Sequence, residues 1–380
     1  MSRPLLFTPL TLRELTLKNR IVVAPMHQYA AVNGFPTDWH LMNAGRYAAG
    51  GAGLVILEST KIERRGCGTV GDLGLWDDAF IAPLRRIVDL VRQCGSACGI
   101  QLGHSGRKAR TGRPWEGGKP LLENPGLDDW DQWELVGPSA VPSDERSPVP
   151  RALTAAEIAT VAADWGRAAA RAEQAGFDVV EIHGAHGFLI HQFLSPQANQ
   201  RTDEYGGSLA NRMRFALEVA RSVRASWPAH KPLFMRLSVD DDAGWGPAES
   251  VVLARELKAC GVDIIDCSAG GILARPVSSA PLGYGYQVPF ARAIRQQAGV
   301  GSMAVGLIVH HDQAEAILQS GDADLIALAR EMLYNPNWAM DAAQKMAQDP
   351  GFSMVPDAYG WWLGKRAASL PQLRTSTQEG

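Results

Sequence analysis

Apolar and polar positions along the chain fall into a repeating two-part pattern. Eight short runs rich in β-branched and apolar residues recur: RIVVAP (20–25), GLVILES (53–59), GIQLG (99–103), DVVEIH (178–183), LFMRLS (233–238), VDIIDCS (262–268), MAVGL (303–307) and ADLIALAR (323–330). Between them lie longer stretches with apolar residues at helical spacing, such as DDAFIAPLRRIVDLVRQCG and SLANRMRFALEVARSVRASW. Thr154 followed by Glu157 reads as a capping box, and Gly176 as the stop of the same helix. Near-continuous apolar strands alternating with helices predict a parallel sheet covered on its outer face. Eight such units predict an α/β fold closed as a (β/α)8 TIM barrel, and no GxGxxG follows the first strand to favour an open dinucleotide fold.

The opening LLFTPLTLRELTLKNR alternates like a small N-terminal hairpin that closes the barrel bottom. One connection is too long for a barrel loop: residues 104–153, a long loop after strand 3 that carries Trp115, Trp130 and Trp133. Such a segment is a lid or binding loop, or else an insertion packed on the outside. The whole chain, 1–380, reads as a single domain.

Composition removes several classes. A net charge of −3 with both signs scattered gives no basic stripe for nucleic acid or an anionic membrane. Five cysteines at irregular spacing, with no CxxC pair, predict free thiols rather than a zinc ribbon or disulfide framework. Without a signal-like N-terminus or an apolar run of spanning length, the expectation is a cytoplasmic protein with a small-molecule substrate.

In such barrels chemistry sits at the C-terminal ends of the strands. Those positions hold Pro25, Met26, His27, Glu58, Ser59, Gln101, His104, His183, His186, Arg236, Ser268, Gly306, Ala329 and Arg330. The set is cationic and poor in carboxylates, which argues against a metal centre, although Glu58 and His104 could join the histidine pair as ligands. Two buried core histidines are the plain alternative. Gly306 and Arg330 near strands seven and eight suit a phosphate. Gln101 can both donate and accept at a flavin edge, and Arg236 would favour an anionic reduced ring.

The motifs KNRIVVAPM (18–26), IQLGHSGRKA (100–109), RPWEG (113–117), EIHGAHGFLIHQFLSPQANQRTDEYGGSLANRMRF (181–215) and GLIVHHDQAEAILQSGDADLIALAREML (306–333) resemble the old yellow enzyme family, in its bacterial thermophilic-like branch. The resemblance implies FMN as cofactor, NADPH or NADH as reductant, and hydride transfer through the flavin to an α,β-unsaturated carbonyl compound. It implies that Pro25, Met26, Ser59 and Gln101 contact the flavin ring, with Arg236 near its pyrimidine side. Gly306, Ala329 and Arg330 would hold the FMN phosphate, although the family has glycine where Ala329 stands. His183 and His186 match the pair that grips the activating carbonyl, and Tyr29 a substrate-contacting tyrosine.

Two positions leave that pattern. Phe188 replaces the tyrosine that donates a proton to the α-carbon, and His27 replaces a cysteine that tunes the flavin. His27 is a surrogate acid, a third anion-binding group, or a ring packed over the flavin. Loss of the tyrosine also admits other acceptors, such as nitro or nitrate-ester compounds, a dehydrogenation, or a barrel that binds flavin without catalysis. The C-terminal segment 350–380, with DAYGWWLG, resembles the part that reaches a neighbouring protomer in a homodimer or dimer of dimers. Tyr359, Trp361 and Trp362 would then line the partner's pocket, or simply pack in the contact.

Overall fold

The computed structural model describes residues 4–273 and 283–370. Eight parallel strands close into a barrel: β1 Ile21–Val23, β2 Leu54–Lys61, β3 Ala97–Gly103, β4 Val179–Gly184, β5 Leu233–Ser238, β6 Ile264–Ser268, β7 Gly301–Ala304 and β8 Leu325–Leu328. Their order around the barrel is their order in the chain, and β8 pairs with β1 to close it.

The outer layer follows the same alternation. Helix α1 (Asp38–Ala49) follows β1, α2 (Ile81–Gln93) follows β2, and α3 (Ala155–Ala175) follows β3. The short α4 (Leu189–Leu194) and α5 (Leu209–Ser226) follow β4, α6 (Pro247–Ala259) follows β5, and α7 (Val288–Ala293) follows β6. Helix α8 (His311–Gln319) follows β7, while α9 (Arg330–Tyr334), α10 (Trp338–Lys345) and α11 (Asp357–Ser369) come after β8. Helix α3 begins with the capping box the sequence predicts: the Thr154 backbone N–H donates to Glu157 Oε2 at 2.9 Å, and Glu157 N–H to Thr154 Oγ1 at 3.2 Å. It ends at Gly176 with φ +94°, a left-handed turn that glycine adopts without strain.

The predicted hairpin forms from Leu10–Leu12 and Leu15–Leu17. Leu10, Leu12 and Leu15 pack on an apolar plug of Val22, Leu54, Val179, Phe234, Ile264, Met303 and Leu325 inside the barrel. Arg13 on the hairpin turn donates through Nε to Asp263 at 2.8 Å, just before β6, so the plug closes the N-terminal end of the barrel.

Four strands end two or more residues from the predicted run, among them β1, which stops at Val23 and leaves Pro25 in the following loop. β2 runs on to Lys61, two residues past the expected end; β7 stops at Ala304, leaving Gly306 in the following turn; and β8 stops at Leu328, so Arg330 opens α9. The pairing of β2 with β3 also skips at Glu58: Leu57 faces Ile100 and Ser59 faces Gln101. That bulge turns Glu58 out of the regular alternation and leaves Ser59 and Lys61 near the barrel mouth. All five cysteines are free.

Candidate active site

Because side chains alternate along a strand, every second residue faces the barrel interior. Above the apolar plug this alternation builds a charged layer. Gln101 Nε2 donates to Glu181 Oε1 at 2.7 Å, and Arg236 Nε lies 3.1 Å from Asp266 Oδ2. Glu181 and Asp266 are fully buried. Burial and the neighbouring Asp266 push the Glu181 carboxyl up from 4.5 to about 8, against the opposing pull of Arg236 and Gln101. Burial raises Asp266 as well, opposed by Arg236. The Asp266 carboxylate anchors the Arg236 guanidinium in the barrel interior.

One step higher, His183 is the last residue but one of β4, and the turn after the strand carries His186 and Phe188. His186 has φ +57°, a left-handed conformation uncommon for a non-glycine residue. Its N–H donates to Ser238 Oγ at 2.9 Å, and its carbonyl accepts from Lys108 Nζ at 2.9 Å, so the strained turn is held from both sides. Opposite it, Gly271 leaves no space: a Cβ there would stand 2.5 Å from the His186 Cα. The His183 and His186 rings meet edge-on with centroids 5.2 Å apart, and Phe188 lies 4.8 Å from His183. Ala185 N–H donates to His183 Nδ1 at 3.2 Å, which puts the His183 proton on Nε2. The His186 Nε2 lies 2.7 Å from Ser268 Oγ. Burial holds both imidazoles well below their ordinary pKa, with each other's ring and Arg236 adding to the effect for His183, and Arg236 for His186. At neutral pH both rings are therefore uncharged, and each still offers one N–H.

On the other side of Phe188 stand His27 and Tyr29. Their rings stack at 5.3 Å with an 18° tilt, and His27 meets Phe188 edge-on at 6.2 Å. The bulged Glu58 reaches this group: Oε2 is 3.7 Å from His27 Nδ1, and Oε1 is 2.9 Å from His40 Nε2 on α1. Beneath Phe188, Lys61 is fully buried, with Nζ 5.1 Å from the ring centre. It donates to Ser59 Oγ at 3.0 Å and lies 3.5 Å from Asp72, which also accepts from Gly68 N–H and Thr69 Oγ1 at 2.7 Å each. Burial, the largest single influence, would raise the Asp72 carboxyl; Lys61, His27, Thr69 and Gly68 together outweigh it and hold the group below its usual value. Sequence reasoning missed Lys61 and Asp72. Ser59 and Lys61 are two apart at a strand end, and that spacing was the available signal.

Two cavities flank these rings. One, about 510 Å³, is lined by His186, Arg236, Ser268, Gly306, Ala329 and Arg330, among others. The other, about 580 Å³, is lined by His27, Tyr29, Phe188 and Asp72, and by residues from the 104–153 segment including Arg107, Lys108 and Arg110. His183 touches both His186 and Phe188, so the histidine pair stands between the two spaces.

Most of the predicted set is thus brought together. Pro25 and Met26 directly follow β1 and its neighbour Ala24, and Ser59 and Gln101 are buried at the mouth. His104 is not part of the cluster: its Nε2 pairs with Glu63 at 2.8 Å, away from the histidine pair. Among the described residues no group of His, Cys, Asp or Glu could hold a metal ion. Tyr359, Trp361 and Trp362 lie exposed on α11 and line neither cavity of their own chain. Of the C-terminal segment, residues 371–380 lie outside the described residues.

Known proteins resemble this chain along most of its length. The model of the NADH:flavin oxidoreductase / NADH oxidase family matches residues 5–349. An NADPH dehydrogenase of Listeria monocytogenes is 44% identical over 348 residues, covering 90% of this chain and 95% of the relative. One of Bacillus subtilis is 42% identical over 345 residues, covering 90% and 95%. Among solved structures, morphinone reductase superposes with a TM-score of 0.76 at 30% identity, covering 90% of each chain. The old yellow enzyme homologue from Zymomonas mobilis gives 0.73 at 27% identity, covering 90% and 92%.

Proposed function

The chain belongs to the NADH:flavin oxidoreductase / NADH oxidase family, that of the old yellow enzymes, and from this membership we propose that it reduces activated alkenes, with α,β-unsaturated carbonyl compounds as the substrate class. It is an NAD(P)H-dependent flavin oxidoreductase, and its cofactor is FMN.

Two observations support a fit between FMN and the 510 Å³ cavity. Arg236 and Arg330 both line it, and Asp266 holds the Arg236 guanidinium in place through an ion pair at 3.1 Å. Gly306 lines the same space at φ +109°, a conformation that favours glycine, and a Cβ there would come within 2.6 Å of the Gln287 side chain, so this stretch of the wall is bare backbone. On this reading Gly306, Ala329 and Arg330 hold the phosphate. Pro25, Met26, Ser59 and Gln101 border the ring, and Arg236 meets its pyrimidine side. FMN held by these residues would supply hydride transfer between the nicotinamide and the substrate.

The chain's own groups do the rest. With Ser268 Oγ donating to His186 Nε2, the His186 proton sits on Nδ1; on this reading that N–H and the His183 Nε2–H share one carbonyl oxygen, where negative charge grows as hydride reaches the β-carbon. Neutral imidazoles suit this task, because donors that carry no charge of their own need no counter-ion in the empty pocket. The segment 104–153 walls the 580 Å³ cavity, which supports a role in excluding water from the substrate. The exposed aromatic face of α11 supports contact with a second copy of the chain; static light scattering of wild type against Trp361→Ala and Trp362→Ala tests it.

The observation that carries the alkene reading is the pairing of two neutral histidines between the 510 Å³ and 580 Å³ cavities. The test is product analysis. Under anaerobic conditions with NADPH, 2-cyclohexenone should yield cyclohexanone. Turnover of nitro or nitrate-ester compounds with no enone reduced would support the other reading, which the missing Phe188 hydroxyl favours.

A further inference from the structure

Phe188 stands against His183 with a ring that carries no acidic proton, so the α-carbon needs another donor. Apart from His183, which the carbonyl clamp uses, the candidates are Lys61 and His27 beside the Phe188 ring and Tyr29 stacked on His27. Lys61 is fully buried, lines neither cavity, and is already held by Ser59 and Asp72. Tyr29 lines the 580 Å³ cavity, but burial, then Asp72 and Glu58, push its phenol up to about 12, which makes it a poorer acid.

His27 lines the same cavity, touches Phe188, and has a buried Nδ1 with no hydrogen-bond partner. The group facing that nitrogen is Glu58, at 3.7 Å. Glu58 Oε1 in turn faces His40 Nε2; because Thr37 N–H donates to His40 Nδ1 at 3.0 Å, that Nε2 carries the His40 proton. We propose that His27, oriented by Glu58, is the general acid that protonates the α-carbon in place of the absent tyrosine. The proposal rests on the alkene-reductase reading.

The step balances as follows. As hydride bonds to the β-carbon, the alkene π pair moves toward the carbonyl oxygen held by His183 and His186. The resulting enolate pair then takes the Nε2 proton of the His27 imidazolium at the α-carbon, and the carbonyl re-forms. The N–H bonding pair stays on the ring, and water in the cavity returns the proton to neutral His27. Glu58 and Asp72 favour the imidazolium; burial and Lys61 oppose it, the nearby Tyr29 is neutral, and His183 and His186 are uncharged donors. The balance lowers the His27 pKa, so its charged fraction and the rate of this step should both fall as pH rises from 5 to 8.

The test is a stopped-flow comparison of the reoxidation of FMN-loaded, pre-reduced enzyme by 2-cyclohexenone. His27→Gln should slow reoxidation about 100-fold, and Phe188→Tyr added to that variant should restore it to within about tenfold of wild type and flatten the pH profile. Loss below threefold in His27→Gln, or no rescue by the tyrosine, overturns the proposal. A second readout needs no turnover: in 15N-histidine-labelled holoenzyme, Glu58→Gln should move the His27 titration to lower pH, and an unmoved titration removes Glu58 from the account. If wild type reduces no alkene at all, the alkene reading fails first, and this proposal goes with it.

Discussion

Replacing His186 with alanine tests the carbonyl clamp where the structure isolates it best. The backbone at this position is fixed independently of the imidazole, by the 2.9 Å bonds to Ser238 and Lys108, so the turn should survive the substitution. The side chain makes one hydrogen bond, to Ser268 Oγ at 2.7 Å, and that hydroxyl is able to rotate to water. What disappears is one of two preorganised donors to an oxygen that gains charge in the transition state. Removing such a donor raises the barrier by about 3 kcal/mol, or ~10²-fold in rate. His183 keeps its own N–H, so activity should fall and not vanish. The assay is anaerobic stopped-flow reoxidation of NADPH-reduced enzyme by 2-cyclohexenone, with FMN content measured on the same sample. Bleaching by NADPH should persist and reoxidation should slow about a hundredfold. A loss smaller than about threefold, with FMN retained, would refute the clamp. Loss of FMN would refute the division of roles between the two cavities.

Other outcomes follow from neighbouring groups. Arg330→Ala removes a cation from the wall of the 510 Å³ cavity and should weaken FMN binding at least ~10-fold in a fluorescence titration, the loss of about 1.5–3 kcal/mol typical of a charged hydrogen bond. Lys61→Met leaves the buried Asp72 without its counter-charge and should destabilise the fold by about 3 kcal/mol in chemical denaturation; an unchanged midpoint would mean that Asp72 is satisfied by Gly68 and Thr69 alone. Glu181 binds its proton more tightly folded, near 8, than unfolded, near 4.5. Its contribution is therefore complete below about pH 4.5 and is lost as pH rises toward 8, and Glu181→Gln should flatten that fall in a melting series. Thr154→Ala should cost about 1 kcal/mol by removing the capping box of α3.

The fold was legible because local signals agreed with the global arrangement. Strand runs, the Thr154–Glu157 cap and the Gly176 stop each appear where expected, and the leucines of the hairpin plug the barrel. Strand ends were less legible at β7 and β8, where apolar residues continue past the last ladder bond into the turns carrying Gly306 and Arg330. At the site, the histidine pair was readable from its three-residue spacing after a strand. His104 sat at an equivalent strand end, yet its partner Glu63 comes from a different loop, and no local pattern reveals that pairing. Lys61 escaped notice because a lysine after an apolar run ordinarily signals the strand's return to solvent. The bulge at Glu58 instead keeps it under Phe188, where Asp72 neutralises it. The aromatic residues of α11 were expected near a partner's pocket, and a single chain leaves them facing outward.

The most direct test of the central claim follows flavin absorbance in the purified holoenzyme without oxygen. NADPH should bleach the yellow band, and adding 2-cyclohexenone should restore it with one cyclohexanone formed per flavin. A band that bleaches and stays bleached after the enone would contradict alkene reduction, while a band that NADPH fails to bleach would contradict the redox role itself.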